Sequence, residues 1–455
     1  MRMLSCLRCK RKSRHWINTL CFVTLSTILP AGFCNVANAA DSSAPNMSEA
    51  FAIQVKMQQL NTQLHLKAAM TDFKRQRRTW LWDFGNGSAT EGGLIAATCL
   101  FWNHNQDKLV VQDLPDARVR YVHNRIDGNA IAGTIYPQIA GQGVGVAGAL
   151  YELVCDSQKS FYLRKNDLDA KSVIKKMVAL NDEFDRAMAN DNGQTDLERR
   201  LLLALRDAAL HEFVRLEGRA GRIVTANYIE DGVSLTRNTV GIIGNALNAA
   251  ANINYDKHMN ANGNVLNVIA ASMISLRPFA TNGASIVCER VNARRVRKHF
   301  PACKLDQSPL DEAEKALADL KESKDVDKGH LDIGKCQHYL AFLREQTELS
   351  QVESRADDHA ALRRYRESLY GPTKIAQSVL GLNIGFRKLH NETSDNRLAA
   401  IGNTVYTAGQ AGNLSELIRE RIVDEMDNRN RSRQGLLPEQ ILRRQAQVLE
   451  SRVFE

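Results

Sequence analysis

The sequence predicts a mainly α protein: an elongated helical bundle with uncharged helical hairpins and a small β-containing module near residues 94–164. Three observations carry that class. Asn238 to Tyr255 and His258 to Leu276 contain no Asp, Glu, Lys or Arg and are separated only by Asp256 and Lys257, which reads as two arms around a polar tip. Long charged stretches with apolar residues at three-and-four spacing flank that hairpin on both sides. A weaker copy of the plan recurs near the C-terminus, where Ile375 to Phe386 and Leu398 to Ser415 are uncharged arms around a polar Arg387 to Arg397 tip.

Residues 1–39 read as a signal peptide. Arg2, Arg8, Lys10, Arg11, Lys12 and Arg14 form a basic start, Ile17 to Phe33 an apolar middle, and Ala37-Asn38-Ala39 a small-x-small cleavage site before Ala40. The chain is therefore expected to be exported, to a periplasm or out of the cell. All six leader charges are positive, so the formal +9 of the whole chain becomes about +3 for the mature part, and a nucleic-acid partner is not expected.

Four of nine cysteines leave with the leader. Of the remaining five, Cys288 with Cys303 and Cys99 with Cys155 are disulfide candidates in an oxidising compartment, and Cys336 is left over. Five domains or segments are expected: the leader, an N-terminal amphipathic helix over 40–93, the mixed module over 94–164, a helical region with the central hairpin over 165–306, and a C-terminal helical region over 307–455.

The first helix follows from Ile53, Met57, Leu60 and Leu64, and from the absence of Gly and Pro up to about Arg78. Its basic end, Lys74 to Arg78, lies beside Trp80 and Trp82, and Gly85-Asn86-Gly87 should close it. Beyond it, Cys99 to Trp102, Leu109 to Val111, Val119 to Val122 and Phe161 to Leu163 read as short strands. Gly128 to Tyr151 is uncharged but rich in glycine, the composition of a tightly packed helix or loop; its Gly143-x-Gly145-x-x-Gly148 lacks the strand that a dinucleotide site needs upstream.

After Asp167 the periodicity is helical. Thr195 and Glu198 form a capping box ahead of a helix to Leu216. In the central hairpin, small residues let backbones approach, and Asn245, Asn248, Asn264 and Asn267 must find partners in one another or in a neighbouring helix. Arg290, Arg294, Arg295, Arg297 and Lys298 form a basic run, bracketed by two cysteines, that could meet an anionic surface. His330, Asp332, Cys336 and His338 lack zinc-like spacing, so no metal or cofactor is predicted.

No GxSxG, P-loop, HExxH or paired CxxC occurs. The preferred reading is a non-enzymatic exported scaffold or interaction protein of an envelope or secreted complex, with a protein partner or self-association and a membrane surface as the further contact. A membrane-active, pore-forming-like protein inserting its uncharged hairpins is the second reading. A hydrolase using His104, His123 and Asp127 is the third.

Overall fold

The computed structural model describes residues 49–104, 108–113, 119–123, 126–190, 195–254, 256–301, 303, 309–322, 331–390, 394–435 and 437–450. The predicted leader lies outside the described residues. Residues 47–455 cluster as one compact unit, and it is helical. The elements are α1 (Glu49–Asn103), β1 (Lys108–Asp113), β2 (Val119–His123), α2 (Gly128–Lys165), α3 (Ala170–Asn190), α4 (Asp196–Asn254), α5 (Lys257–Arg297), α6 (Pro309–Glu322), α7 (Ile333–Ser368), α8 (Gly371–Leu389), β3 (Ser394–Asp395), α9 (Asn396–Arg433) and α10 (Pro438–Glu450).

Helix α4 starts as its sequence dictates. The Glu198 amide donates to Thr195 Oγ1 at 3.3 Å while the Thr195 amide donates to Glu198 Oε2 at 2.9 Å, closing the capping box. It then runs unbroken through the first arm of the hairpin. Asp256 caps α5 by accepting from the His258 and Met259 amides, so the reversal occupies a single short turn.

The two halves of this helical unit have different interiors. In one, Met57, Phe184, Leu201, Leu205, Phe213 and Tyr339 pack an apolar core drawn from α1, α3, α4, α6 and α7. Edge-on ring pairs Phe51–Tyr339 and Phe213–Phe300, at 5.5 and 6.3 Å, belong to it. A polar seam of Gln58, Thr62, His65, Gln346 and Glu353 crosses it between α1 and α7. In the other half the centre is built of amides and glycines.

Three sequence expectations need correction. Residues 94–164 are not a mixed module: Cys99 to Trp102 belongs to α1 and Phe161 to Leu163 to α2. Only Leu109–Val111 and Val119–Val122 fall in strands, the antiparallel pair β1–β2, to whose edge β3 adds two residues. Cys99, Trp102, Phe161 and Tyr162 stand exposed on their helices, so the strand propensity of these short runs yielded to the long helices that contain them.

Second, Gly85-Asn86-Gly87 and Gly92-Gly93 do not end a helix; α1 passes through them. Gly85, Gly87 and Gly93 serve contact rather than termination, while Gly92 faces open space. A Cβ at Gly93 would lie 2.7 Å from the Thr134 carbonyl oxygen, and one at Gly87 2.7 Å from a Leu414 methyl.

Third, Cys99, Cys155, Cys288, Cys303 and Cys336 are all free thiols. Gly93 meets Thr134 and Trp82 meets Gly148, so α1 and α2 are antiparallel. Along that pairing Cys99 and Cys155 are separated by some 24 residues of helix, about 36 Å, far beyond disulfide reach. Cys288 lies six residues of helix before Arg294, whereas Cys303 follows the C-terminus of α5 against the apolar core. What pins the connection after α5 is burial of Val296 and Phe300.

Candidate functional site

The amide-cored half is made from three antiparallel pairs: α1 with α2, α4 with α5, and α8 with α9. Their reversals lie together. Lys257 Nζ donates to the Leu389 carbonyl at 3.3 Å, Asn396 Nδ2 to the His104 carbonyl at 3.2 Å, and β3 pairs with β1. All six helices therefore turn at one level.

At its centre stands a repeated pentapeptide, Gly244-Asn245-Ala246-Leu247-Asn248 on α4 and Gly263-Asn264-Val265-Leu266-Asn267 on α5. The two copies clasp reciprocally. Asn248 Nδ2 donates to Asn264 Oδ1 at 3.1 Å, and Asn267 Nδ2 to Asn245 Oδ1 at 3.0 Å. A Cβ on Gly244 would lie 2.9 Å from the Gly263 carbonyl oxygen, and one on Gly263 2.7 Å from that of Gly244. Only hydrogen fits there, and the amide oxygens of Asn248 and Asn267 face the opposite bare Cα atoms.

Neighbouring helices extend the network. Asn245 Nδ2 donates to Gln142 Oε1 on α2 at 3.2 Å, Asn264 Nδ2 to the Gly381 carbonyl on α8 at 3.0 Å, and Gln377 Nε2 to Asn403 Oδ1 at 3.0 Å. Asn245, Asn248, Asn264, Asn267, Gln377 and Asn403 line a cavity of about 140 Å³ with Gln138, Ser378 and Lys388. A second cavity of about 90 Å³ continues on the side away from the reversals, among Asp83, Gln142, Arg237, Asn238, Lys374 and Tyr406. Asn248 Oδ1, Asn267 Oδ1 and Ser378 Oγ are buried without a hydrogen-bond partner. Amides neither give nor take protons near neutral pH, but burial lowers the Lys388 ammonium in the first cavity to about 8 and the Lys374 ammonium in the second to about 7, so the linings offer hydrogen bonds together with two lysines that titrate near neutrality.

The outside of the same helices is apolar. Val265, Ile269, Leu276 and Phe279 of α5 are 40 to 62% exposed while Asn260, Asn264 and Asn267 are buried. The other five repeat this inversion: Ile95 on α1, Tyr136 and Leu150 on α2, Ile243 and Ile253 on α4, Val379 and Phe386 on α8, and Ile401 and Val405 on α9 all face outward. Water-soluble helices put these two classes the other way round.

Away from the reversals the belt stops at a collar of ion pairs. Arg75 bridges Asp156 at 2.7 Å and Asp231 at 2.8 Å, Arg78 meets Glu152 at 2.8 Å, Arg277 pairs with Glu230, and Arg363 with Glu420 at 3.4 Å. Burial alone would raise the Glu230 carboxyl, but Arg277 and Arg364 overcome it and hold it down at about 2. Burial pushes its neighbour Asp231 up to about 6 against the pull of Arg75. Aromatic rings sit at the same level: Trp80 stacks on Phe84 at 5.1 Å, Trp82 lies 6.0 Å from Tyr151, and Phe279 5.4 Å from Tyr365.

The cysteines and the basic run singled out from sequence are dispersed, whereas His104 and Asp127 both stand at the level of the reversals. Cys99 is exposed on α1, Cys155 half-buried on α2, Cys288 half-buried on α5, and Cys303 half-buried beyond it. Arg290, Arg294, Arg295 and Arg297 are exposed on the last turns of α5, and Lys298 is its C-cap, where cations complement the helix dipole. That run lies about 20 to 32 Å of helix beyond Arg277 of the collar. His104 Nδ1 is 2.9 Å from the Leu100 carbonyl, and Asp127 accepts from the Asn129 amide as the α2 cap. The His123 side chain and His330 lie outside the described residues.

The sequence reading required the asparagines to find partners but passed over the pentapeptide repeat that pairs them, a signal present in the letters. The collar carried no such signal, because its partners are about 50 to 156 residues apart in the chain. No group of three metal-ligating side chains occurs among the described residues, and none of their helices is long and apolar enough to cross a membrane. No protein-family model, curated protein or solved structure matches the chain.

Proposed function

We propose that the protein is an exported, non-enzymatic helical scaffold that acts by contact, and that its working surface is the outer face of the amide-cored half. One observation carries this reading: on six helices the amides and glycines point inward while branched aliphatic and aromatic side chains point outward. An exposed apolar surface that continuous costs free energy in water, roughly 25 cal/mol per Å², and marks a surface that is covered when the protein works. Export follows from the leader, with a periplasmic or extracellular destination. The contact is with another protein, a second copy or a hydrophobic phase, and nucleic acid has no part in it.

Size and labelling test this. The purified mature chain should need detergent, or should assemble, and its outward belt positions should be shielded from water-soluble thiol reagents once cysteine is placed there. A monodisperse monomer in detergent-free buffer, at tens of micromolar, with those positions freely labelled would remove the reading. Cleavage before Ala40, read by N-terminal sequencing of the exported protein, tests the localisation.

A further inference from the structure

We infer that the amide-cored half is embedded in a lipid bilayer as one six-segment unit, with its asparagine and glycine faces turned inward. This rests on the contact reading above and names the cover as lipid.

The first argument is dimension. Uncharged segments run over 128–151 on α2, 238–254 on α4, 258–276 on α5 and 398–415 on α9, or about 26 to 36 Å at the helical rise. On α1 and α8 the belt is interrupted by Asp83, Glu91 and Lys374; Glu91 and Lys374 are buried, and the half-buried Asp83 lines the second cavity. The outer surface is thus free of charge from the reversals to the collar, a height close to the ~30 Å hydrocarbon thickness of a bilayer.

Extent is the second argument. A protein partner covers one side, typically about 800 Å² of it, whereas here every one of the six helices turns branched or aromatic side chains outward. A surface apolar on all sides fits a continuous solvent better than a docked chain.

The edges supply the third. Trp80, Trp82, Tyr151, Phe279 and Tyr365 ring the collar beside arginines and carboxylates, and Trp102 and Phe386 stand near the reversals. Aromatic rings at two levels about 30 Å apart, with the amphipathic Trp80, Trp82, Tyr151 and Tyr365 at one and Trp102 at the other, match two membrane–water interfaces. The outward amides Asn254, Asn262 and Asn383 all lie within two turns of the reversals.

No single helix here is apolar enough to cross alone, and the inversion explains why: half of each circumference is amide, hydroxyl or glycine. Those groups are tolerable in hydrocarbon because they bond one another across helix pairs, so the unit is lipid-compatible assembled and incompatible as separate segments.

The test reconstitutes the full chain from detergent into three-to-one phosphatidylethanolamine–phosphatidylglycerol vesicles. Nitroxides are placed at 269, 405 and, as a reference in the apolar-core half, 352, in a Cys99→Ser background because Cys99 is an exposed thiol. The protein should float with vesicles after alkaline carbonate, and the ratio of oxygen to nickel-chelate collisions at 269 and 405 should be at least tenfold that at 352. Ile269→Lys with Val405→Lys should cut the carbonate-resistant fraction several-fold, and Val352→Lys should not. If carbonate strips the chain and both sites are shielded from both reagents in a lipid-free oligomer, lipid is overturned and contact between copies stands. If both sites meet the nickel chelate freely in monomers, with or without vesicles, the lipid inference and the contact reading fall together.

Discussion

Replacing Gly263 by alanine tests the clasp directly, because the same substitution twenty residues along α5 should act with the opposite sign. A Cβ at Gly263 would lie 2.7 Å from the Gly244 carbonyl oxygen and closer still to Asn248 Oδ1, whereas one at Gly283 would meet nothing within 4 Å. Alanine in a helix interior gains about 0.5 to 1 kcal/mol over glycine. At Gly263 that gain is opposed by overpacking against backbone, about 1 to 3 kcal/mol, and by displacement of the Asn248–Asn264 hydrogen bond, about 1 kcal/mol. The net expectation is a loss of about 1 to 3 kcal/mol for Gly263→Ala and a gain of about 0.5 to 1 kcal/mol for Gly283→Ala. Denaturant unfolding followed by helical circular dichroism, with all three proteins in the same detergent or buffer, reads the difference. By the reciprocity of the clasp, Gly244→Ala should resemble Gly263→Ala. A Gly263→Ala protein as stable as the parent would refute the close approach of α4 and α5.

Other perturbations address the apolar-core half. Burial pushes the Glu217 carboxyl up to about 7. Its folded pKa thus exceeds the unfolded one, so the cost of its charge grows as pH rises from about 4.5 to 7, and Glu217→Gln should be more stable by roughly 2 kcal/mol at pH 8 and equal to the parent near pH 4; a pH-independent difference would sink this. Glu353 is the reverse case: burial alone would raise its pKa, but His65 and Arg219 hold it below the ordinary carboxylate value. That stabilisation is present above about pH 4.5 and lost as pH falls through the lowered value, so Glu353→Gln should lose roughly 2 to 4 kcal/mol at pH 7 and progressively less in acid, measured by denaturant midpoints. The thiols should alkylate in order of access, Cys99 first and buried Cys336 last, and the protein should migrate identically with and without reductant; a faster non-reduced form would restore the disulfides that the structure excludes.

Legibility followed the range of the interaction. The capping box, the α4–α5 reversal at Asp256 and the helical arms were readable because each is set by residues a few positions apart. The glycines of α1 misled, since Gly85, Gly87 and Gly93 have the composition of a break and the duty of a contact; only the neighbours α2 and α9 distinguish the two. The disulfide expectation failed because cysteine spacing in sequence says nothing of a rigid helix rise between them. The inversion of the hairpins was half visible. Asparagines at three-and-four spacing showed a polar stripe, but which stripe faces inward is decided by the other four helices.

The pairing of β3 with β1, Lys108 opposite Asp395 and Leu109 opposite Ser394, joins residues almost three hundred positions apart. Helix α1 depends on the same distant chain, with Trp80 donating to the Leu417 carbonyl at 3.0 Å and Gln59 to that of Leu449 at 2.8 Å. A polypeptide delivered N-terminus first therefore carries its earliest helix half-wrapped until its final segment emerges. Such late closure makes assembly slow relative to delivery and leaves sticky intermediates exposed, so a holding chaperone would raise its yield.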